Sequence, residues 1–127
     1  MSIPYPRLRS MDSPLLSLST VETEIGLVVV KARGEIDMQT APELASALNA
    51  AVDLLFPHRL VIDLDEVGFI GSGGLHLLLE FDARCDRRDI EMRIVSGSRP
   101  VLRALQVTGL DRTLDVRDPH SSLSWTR

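Results

Sequence analysis

The sequence predicts an α/β fold in a single domain, with a mostly parallel or mixed sheet of about five strands packed with helices. Three observations lead there. Runs with the two-residue period of strands alternate with runs of helical period. Two apolar, β-branched runs, Leu27-Val28-Val29-Val30 and Leu60-Val61-Ile62, flank a helical segment, which is the pattern of a parallel crossover. A chain of 127 residues, 44% hydrophobic and 25% charged, suffices for one core and leaves no room for a second catalytic domain.

Residues 1–14 mix proline and serine without periodicity and are expected to form a flexible N-terminal arm. Leu16-Ser17-Leu18-Ser19-Thr20-Val21 alternates apolar and polar, Gly26 marks a turn, and the Leu27 run follows, so two paired strands are expected. Thr40-Ala41-Pro42-Glu43 has the form of a capping box, the Thr40 hydroxyl accepting from the amide of residue 43 while Glu43 reaches back. Leu44, Ala47, Leu48, Ala51, Val52 and Leu55 then recur at helical spacing until Pro57 closes the segment.

Arg59-Leu60-Val61-Ile62-Asp63-Leu64 reads as a strand parallel to the Val28 run, and residues 65–74 as a loop. Leu75, Leu78, Leu79 and Ala83 predict a second helix ending near Arg87, with Ser72 as its N-cap. Glu91-Met92-Arg93-Ile94-Val95 is a further strand. Ser98 caps a third helix through Val101, Leu102 and Leu105, which stops at Gly109, and Thr113-Leu114-Asp115-Val116 supplies an edge strand. The domain thus spans residues 15–118, with 119–127 a C-terminal tail.

Composition excludes several function classes. A net charge of −4 provides no basic field for direct nucleic-acid binding. One cysteine allows no intramolecular disulfide, which excludes a disulfide-stapled secreted domain and points to a reducing cytoplasm. Neither an export signal nor an apolar run of membrane-spanning length is present, so no membrane partner is expected. Lys31 is the only lysine, which removes any other catalytic lysine from consideration.

The chemistry-bearing residues suggest a binding module. Gly71-Ser72-Gly73-Gly74 precedes a helix as a phosphate loop would, but it lacks the Gly-Lys-Ser/Thr ending of a P-loop and has His76 where a dinucleotide fingerprint needs its third glycine. Asp63, Asp65 and Glu66 lack further ligands and read as a solvated strand end, so no metal and no cofactor are expected. His58, His76 and His120 have no sequence partners for a catalytic triad or a zinc site. Arg84, Arg87 and Arg88 alternate with Asp82, Asp86 and Asp89 as a self-neutralising helix face, and Cys85 is assigned no role. No catalytic residue is assigned.

Three stretches together resemble the STAS domain of bacterial anti-sigma factor antagonists. Gly34-Glu35-Ile36-Asp37 followed by Thr40-Ala41 is similar to the family's opening before its first helix. Val61-Ile62-Asp63-Leu64-Asp65-Glu66-Val67-Gly68-Phe69-Ile70-Gly71-Ser72-Gly73-Gly74-Leu75 resembles its strand, loop and phosphorylation segment, usually Asp-Ser-Ser/Thr-Gly-Leu. Pro100, Val101, Leu105 and Thr108-Gly109-Leu110 resemble the closing helix. The sequence departs from that pattern at Gly71, where the family has Asp, and at Gly73, where it has Ser or Thr.

The resemblance implies a STAS-like fold and a cytoplasmic, non-enzymatic protein. It places the phosphoacceptor on Ser72 and the nearby acidic residue on Asp37, with Gly71, Gly73 and Gly74 completing a partner-binding surface. The implied partners are an anti-sigma factor serine kinase and a metal-dependent serine phosphatase, with a homodimer left open. The implied function is to bind the kinase and free a sigma factor for transcription until Ser72 is phosphorylated. A non-phosphorylated subunit of a regulatory scaffold or lipid-transport complex is the alternative.

Overall fold

The Leu16–Val21 alternation places Leu16, Leu18 and Thr20 on the buried side of a strand, and Val28, Val30 and Ala32 continue that buried row on the next. In the computed structural model of the protein, which describes residues 7–12 and 15–119, these strands belong to a six-stranded mixed sheet with the order β1-β2-β3-β4-β5-β6. The strands are β1 (Arg7–Asp12), β2 (Leu16–Glu24), β3 (Leu27–Ile36), β4 (Arg59–Ile70), β5 (Glu91–Val95) and the two-residue β6 (Val116–Arg117). Three helices connect them: α1 (Ala41–Leu55), α2 (Ser72–Arg87) and α3 (Arg99–Thr108). β1, β2 and β3 pair antiparallel, while β3, β4, β5 and β6 pair parallel. The crossover between β3 and β4 sets Val29 opposite Val61 and Val30 opposite Ile62, as the two apolar runs predict.

One core lies between the sheet and the helices. It gathers Val28, Val30 and Ile36 of β3, Leu60, Ile62 and Leu64 of β4, Leu44 and Leu48 of α1, Leu78 of α2 and Leu105 of α3, all essentially inaccessible to solvent. Burying each such side chain contributes roughly 1.5 to 3 kcal/mol, so this cluster dominates the stability of the domain. Leu27, Val61 and Val95, with half-buried Val29, make a smaller cluster on the opposite side of the sheet.

The structure corrects five local expectations. Six of the residues assigned to the arm form β1, because the backbone of β2 offers them an antiparallel ladder that apolar periodicity does not reveal. Residues 65–70 are not loop but the second half of β4, which pairs with β3 as far as Ile36 opposite Ile70. The capping box does not form: Thr40 is the N-cap residue of α1, but its hydroxyl faces back along the chain, and Asp37 takes its place. Ser72 is the first residue of α2, whose N-cap is Gly71. Ser98 is the N-cap residue of α3, but its hydroxyl donates to the Val67 carbonyl at 2.5 Å rather than capping an amide.

Arg84 of α2 and Arg88, the C-cap residue of that helix, pair across to α1 rather than along their own helix. Arg84 reaches Asp53 of α1 at 2.8 Å and also hydrogen-bonds Asn49, while Arg88 reaches Asp53 at 3.2 Å. These contacts tie the two helices together at the end of the domain remote from Ser72.

Candidate functional site

β3 and β4 run parallel and end side by side, so whatever follows each strand emerges at the same place. The Gly71 amide donates to the Ile36 carbonyl at 2.8 Å, extending the ladder by one bond and bringing Asp37 beside the start of α2. Residues far apart in the chain thereby become neighbours through strand register.

The motif Gly34-Glu35-Ile36-Asp37 can be read atom by atom. Gly34 adopts φ +122°, and a Cβ at this position would lie 2.0 Å from the Leu15 carbonyl oxygen. That carbonyl accepts from the Glu35 amide at 2.8 Å, so the close approach fixes the entry of β2 against β3. Ile36 is buried in the core. Asp37 then turns the chain: its Oδ1 accepts from the Gln39 amide at 2.8 Å and the Thr40 amide at 2.9 Å. The buried Thr40 hydroxyl accepts from the Asp37 amide at 2.9 Å and donates to the Glu35 carbonyl at 2.8 Å.

These amide donors, Thr40 first, hold the Asp37 carboxyl below the usual carboxylate range despite a smaller opposing effect of desolvation. Asp37 is therefore a fixed negative charge at neutral pH.

On the other side of the site, the exposed Ser72 sits at the first position of α2 with extended Gly71 before it, and no side chain caps the helix. The amides of the first turn and the helix dipole make this a location that accommodates negative charge. Gly73 packs 3.8 Å from Met38, measured from the Cβ it lacks. Gly74 is different: it is buried, and a Cβ there would lie 2.6 Å from Ile36 Cγ2 and 2.8 Å from Ile70 Cγ1. It seats α2 closely on the strand ends.

Asp37, Gly71, Ser72 and Gly73 line a surface cavity of about 420 Å³, so four of the five residues assigned to the surface share one wall and Gly74 lies behind it. Met38, Gln39 and Phe69 complete the lining. Sequence reasoning missed these three. The available signal was two large apolar side chains beside motif residues, and Met38 is 83% exposed and Phe69 49% exposed.

Other candidate groups are engaged elsewhere. Asp65 accepts the Gly97 amide at 2.7 Å, Asp63 accepts the Asp65 amide at 3.0 Å, and Glu66 pairs with Lys31 at 2.7 Å and Arg33 at 3.3 Å. These carboxylates are therefore partnered rather than merely solvated, and no cluster able to hold a metal occurs among the described residues. Cys85 is buried, and desolvation raises its pKa to about 11, so its thiol stays protonated at neutral pH. His76 lies 3.3 Å from Glu80 on the exposed side of α2, while His120 is outside the described residues.

The sequence matches the STAS domain family over residues 19–123. The chain belongs to the STAS domain family. Among its relatives, the anti-sigma-F factor antagonist RsfA of Mycobacterium tuberculosis is 32% identical over 112 residues, covering 85% of this chain and 86% of RsfA. The crystal structure of an anti-sigma factor antagonist from Mycobacterium paratuberculosis superposes with a TM-score of 0.71 at 34% identity, covering 84% of this chain and 90% of that one. The anti-sigma factor antagonist SpoIIAA in its unphosphorylated form shares the fold, with a TM-score of 0.70 at 16% identity over 82% of this chain and 89% of that one. The STAS fold expected from the motifs is thus the fold observed.

Proposed function

We propose that this STAS domain is an anti-sigma factor antagonist that binds an anti-sigma factor serine kinase through the Asp37–Ser72 surface and so frees a sigma factor for transcription. The observation that carries this reading is the position of Ser72: exposed, first in α2, and in one cavity with Asp37, which is ionised at neutral pH. Relatives named as anti-sigma factor antagonists support the general role. No helix among the described residues is long and apolar enough to cross a membrane. The role is cytoplasmic and requires no catalysis by this chain.

Unphosphorylated, Gly71 and Gly73 keep the surface around Ser72 low, so a partner's backbone can approach, and Met38 and Phe69 offer apolar contacts beside it. Phosphorylation adds about −1.5 to −2 charges at Ser72. The helix terminus tolerates that charge within the free domain, whereas a partner docked over it and Asp37 meets two negative groups that must be desolvated. A loss of about 3 to 4 kcal/mol weakens binding by roughly 100- to 1,000-fold, enough for release. A metal-dependent serine phosphatase then restores the binding form.

The test is affinity capture from extract of the source cell with and without ATP, followed by mass spectrometry of the bound proteins and of Ser72. A bound serine kinase together with ATP-dependent phosphate on Ser72 supports the switch. An ATP-indifferent complex with unmodified Ser72 overturns it in favour of a non-switching scaffold or lipid-transport subunit, the reading that Gly71 in place of Asp favours.

A further inference from the structure

The domain neutralises most of its described arginines. Arg33, Arg59, Arg84, Arg88, Arg93 and Arg117 each pair with a carboxylate. Arg87, Arg99, Arg103 and Arg112 have no carboxylate partner among the described residues, and of these only Arg99 and Arg103 share an element, both exposed on α3. They stand one helical turn apart, where like charges repel. Arg99 is also the first residue of the helix, at the positive end of its dipole, and the first turn contains no acidic residue to offset it. Each arrangement works against the free helix, so the pair is not explained by the stability of α3.

Half-buried Leu102 and exposed Gln106 lie beside the two arginines, and the four residues line a concavity of about 280 Å³. Val107, 77% exposed, follows one turn after Arg103 and prolongs the stripe. Beneath it the helix is firmly held, with Val101 and Leu105 inaccessible to solvent and Ser98 bonded to the Val67 carbonyl of β4. The result is a rigid stripe, cationic at its start and apolar at its end.

We propose that this face of α3 is a second docking surface, separate from the Ser72 cavity, that holds an acidic segment of a protein partner. Carboxylates spaced along that segment engage the Arg99 and Arg103 guanidiniums in charge-assisted pairs, and an apolar side chain between them rests on Leu102 and Val107. A short carboxylate-bearing segment fits better than nucleic acid, because a phosphate backbone needs a longer cationic track than two arginines. The inference does not depend on phosphorylation of Ser72.

The experiment uses the full-length chain labelled with ¹⁵N and, as probe, the capped peptide acetyl-Glu-Leu-Glu-Glu-Leu-Glu-amide, with its Glu-to-Gln counterpart as control. Saturable, salt-sensitive shifts confined to amides of α3 are expected. Replacing both arginines, as Arg99→Gln with Arg103→Gln, should weaken binding by about tenfold. Arg99→Glu alone should raise the melting temperature of the free protein while weakening the peptide, a combination that a purely structural role does not produce. Shifts centred on Ser72 and Phe69, equal binding of the Gln peptide, or tighter binding of a single-stranded oligonucleotide or of phosphatidylglycerol vesicles would each overturn the proposal.

Discussion

Asp37 and Thr40 hold each other: the Asp37 carboxylate accepts the Thr40 amide at 2.9 Å while the Thr40 hydroxyl accepts the Asp37 amide at 2.9 Å. The reciprocal pair sets the turn from β3 into α1 and keeps Asp37 in the lining of the Ser72 cavity. Because the carboxyl is held below its ordinary pKa in the folded state, its contribution to stability is fully present above the unfolded value, near pH 4, and fades as pH falls through the depressed folded value. Asp53 and Glu66, also lowered by their cationic neighbours, act with the same sign. Asp37→Asn keeps one side-chain oxygen for the turn but loses the titration. Urea midpoints of this variant between pH 5 and pH 3 should fall less steeply than those of the parent; parallel curves would remove the Asp37 charge from the stability of the turn.

Gly34→Ala tests the close approach of β2 and β3. The added methyl meets the Leu15 carbonyl oxygen at 2.0 Å, and an L-residue at φ +122° is strained in any case. Backbone strain of about 1 to 3 kcal/mol adds to an overpacking cost of about 1 to 3 kcal/mol, so a destabilisation of roughly 3 kcal/mol is expected from urea denaturation. A change below about 1 kcal/mol would mean that the Leu15 segment yields easily.

The elements most legible in the sequence are those whose signal is apolar periodicity. The β2–β3 pair, the parallel β3–β4 crossover and the buried faces of α1 and α2 all follow from the spacing of Leu, Ile and Val. What spacing does not encode is competition among polar groups. Thr40 and Glu43 satisfy the capping-box pattern, yet Asp37, three residues earlier, takes the Thr40 amide that Glu43 would reach, its own amide occupies the Thr40 hydroxyl, and the Glu43 amide bonds the Thr40 carbonyl instead. The strand character of residues 65–70 is hidden for a different reason: its buried residues, Val67 and Ile70, are three apart with Gly68 and Phe69 exposed between them, so the two-residue period of a strand is lost and pairing to β3 alone defines it. The site itself was partly legible, because motif residues mark Asp37 and Ser72. Met38 and Phe69 join them only through the register that sets Ile36 beside Ile70.

The two glycines flanking this register should respond oppositely to substitution. At Gly71 the backbone is extended, with φ −94°, and the nearest atom to an added Cβ is Phe69 Cε2 at 3.4 Å, so a side chain fits. Gly71→Asp places a preferred N-cap residue before α2 and should stabilise the domain by about 0.5 to 1 kcal/mol. Gly74→Ala drives a methyl into Ile36 and Ile70 and should cost about 1 to 3 kcal/mol while shifting α2 off the strand ends. Thermal denaturation of both variants checks the pair, and stabilisation by Gly74→Ala would contradict the seating of α2 described above.

Ser72→Glu and Ser72→Ala separate the fold from the switch. Glutamate at the first position of α2 interacts favourably with the helix dipole, a gain of about 0.3 to 1 kcal/mol, so the free domain should be at least as stable as the parent. The same charge, set in the cavity with Asp37, faces any partner that covers both, and binding of the captured kinase should fall by roughly 100-fold or more. Alanine removes the phosphoacceptor without adding charge and should bind whether or not ATP is present. Calorimetric titration of the kinase against the three proteins, with circular dichroism as the control for folding, decides the matter. Similar affinities for the glutamate and alanine variants would mean that charge at Ser72 does not govern release, and the functional surface would then have to be sought away from this cavity.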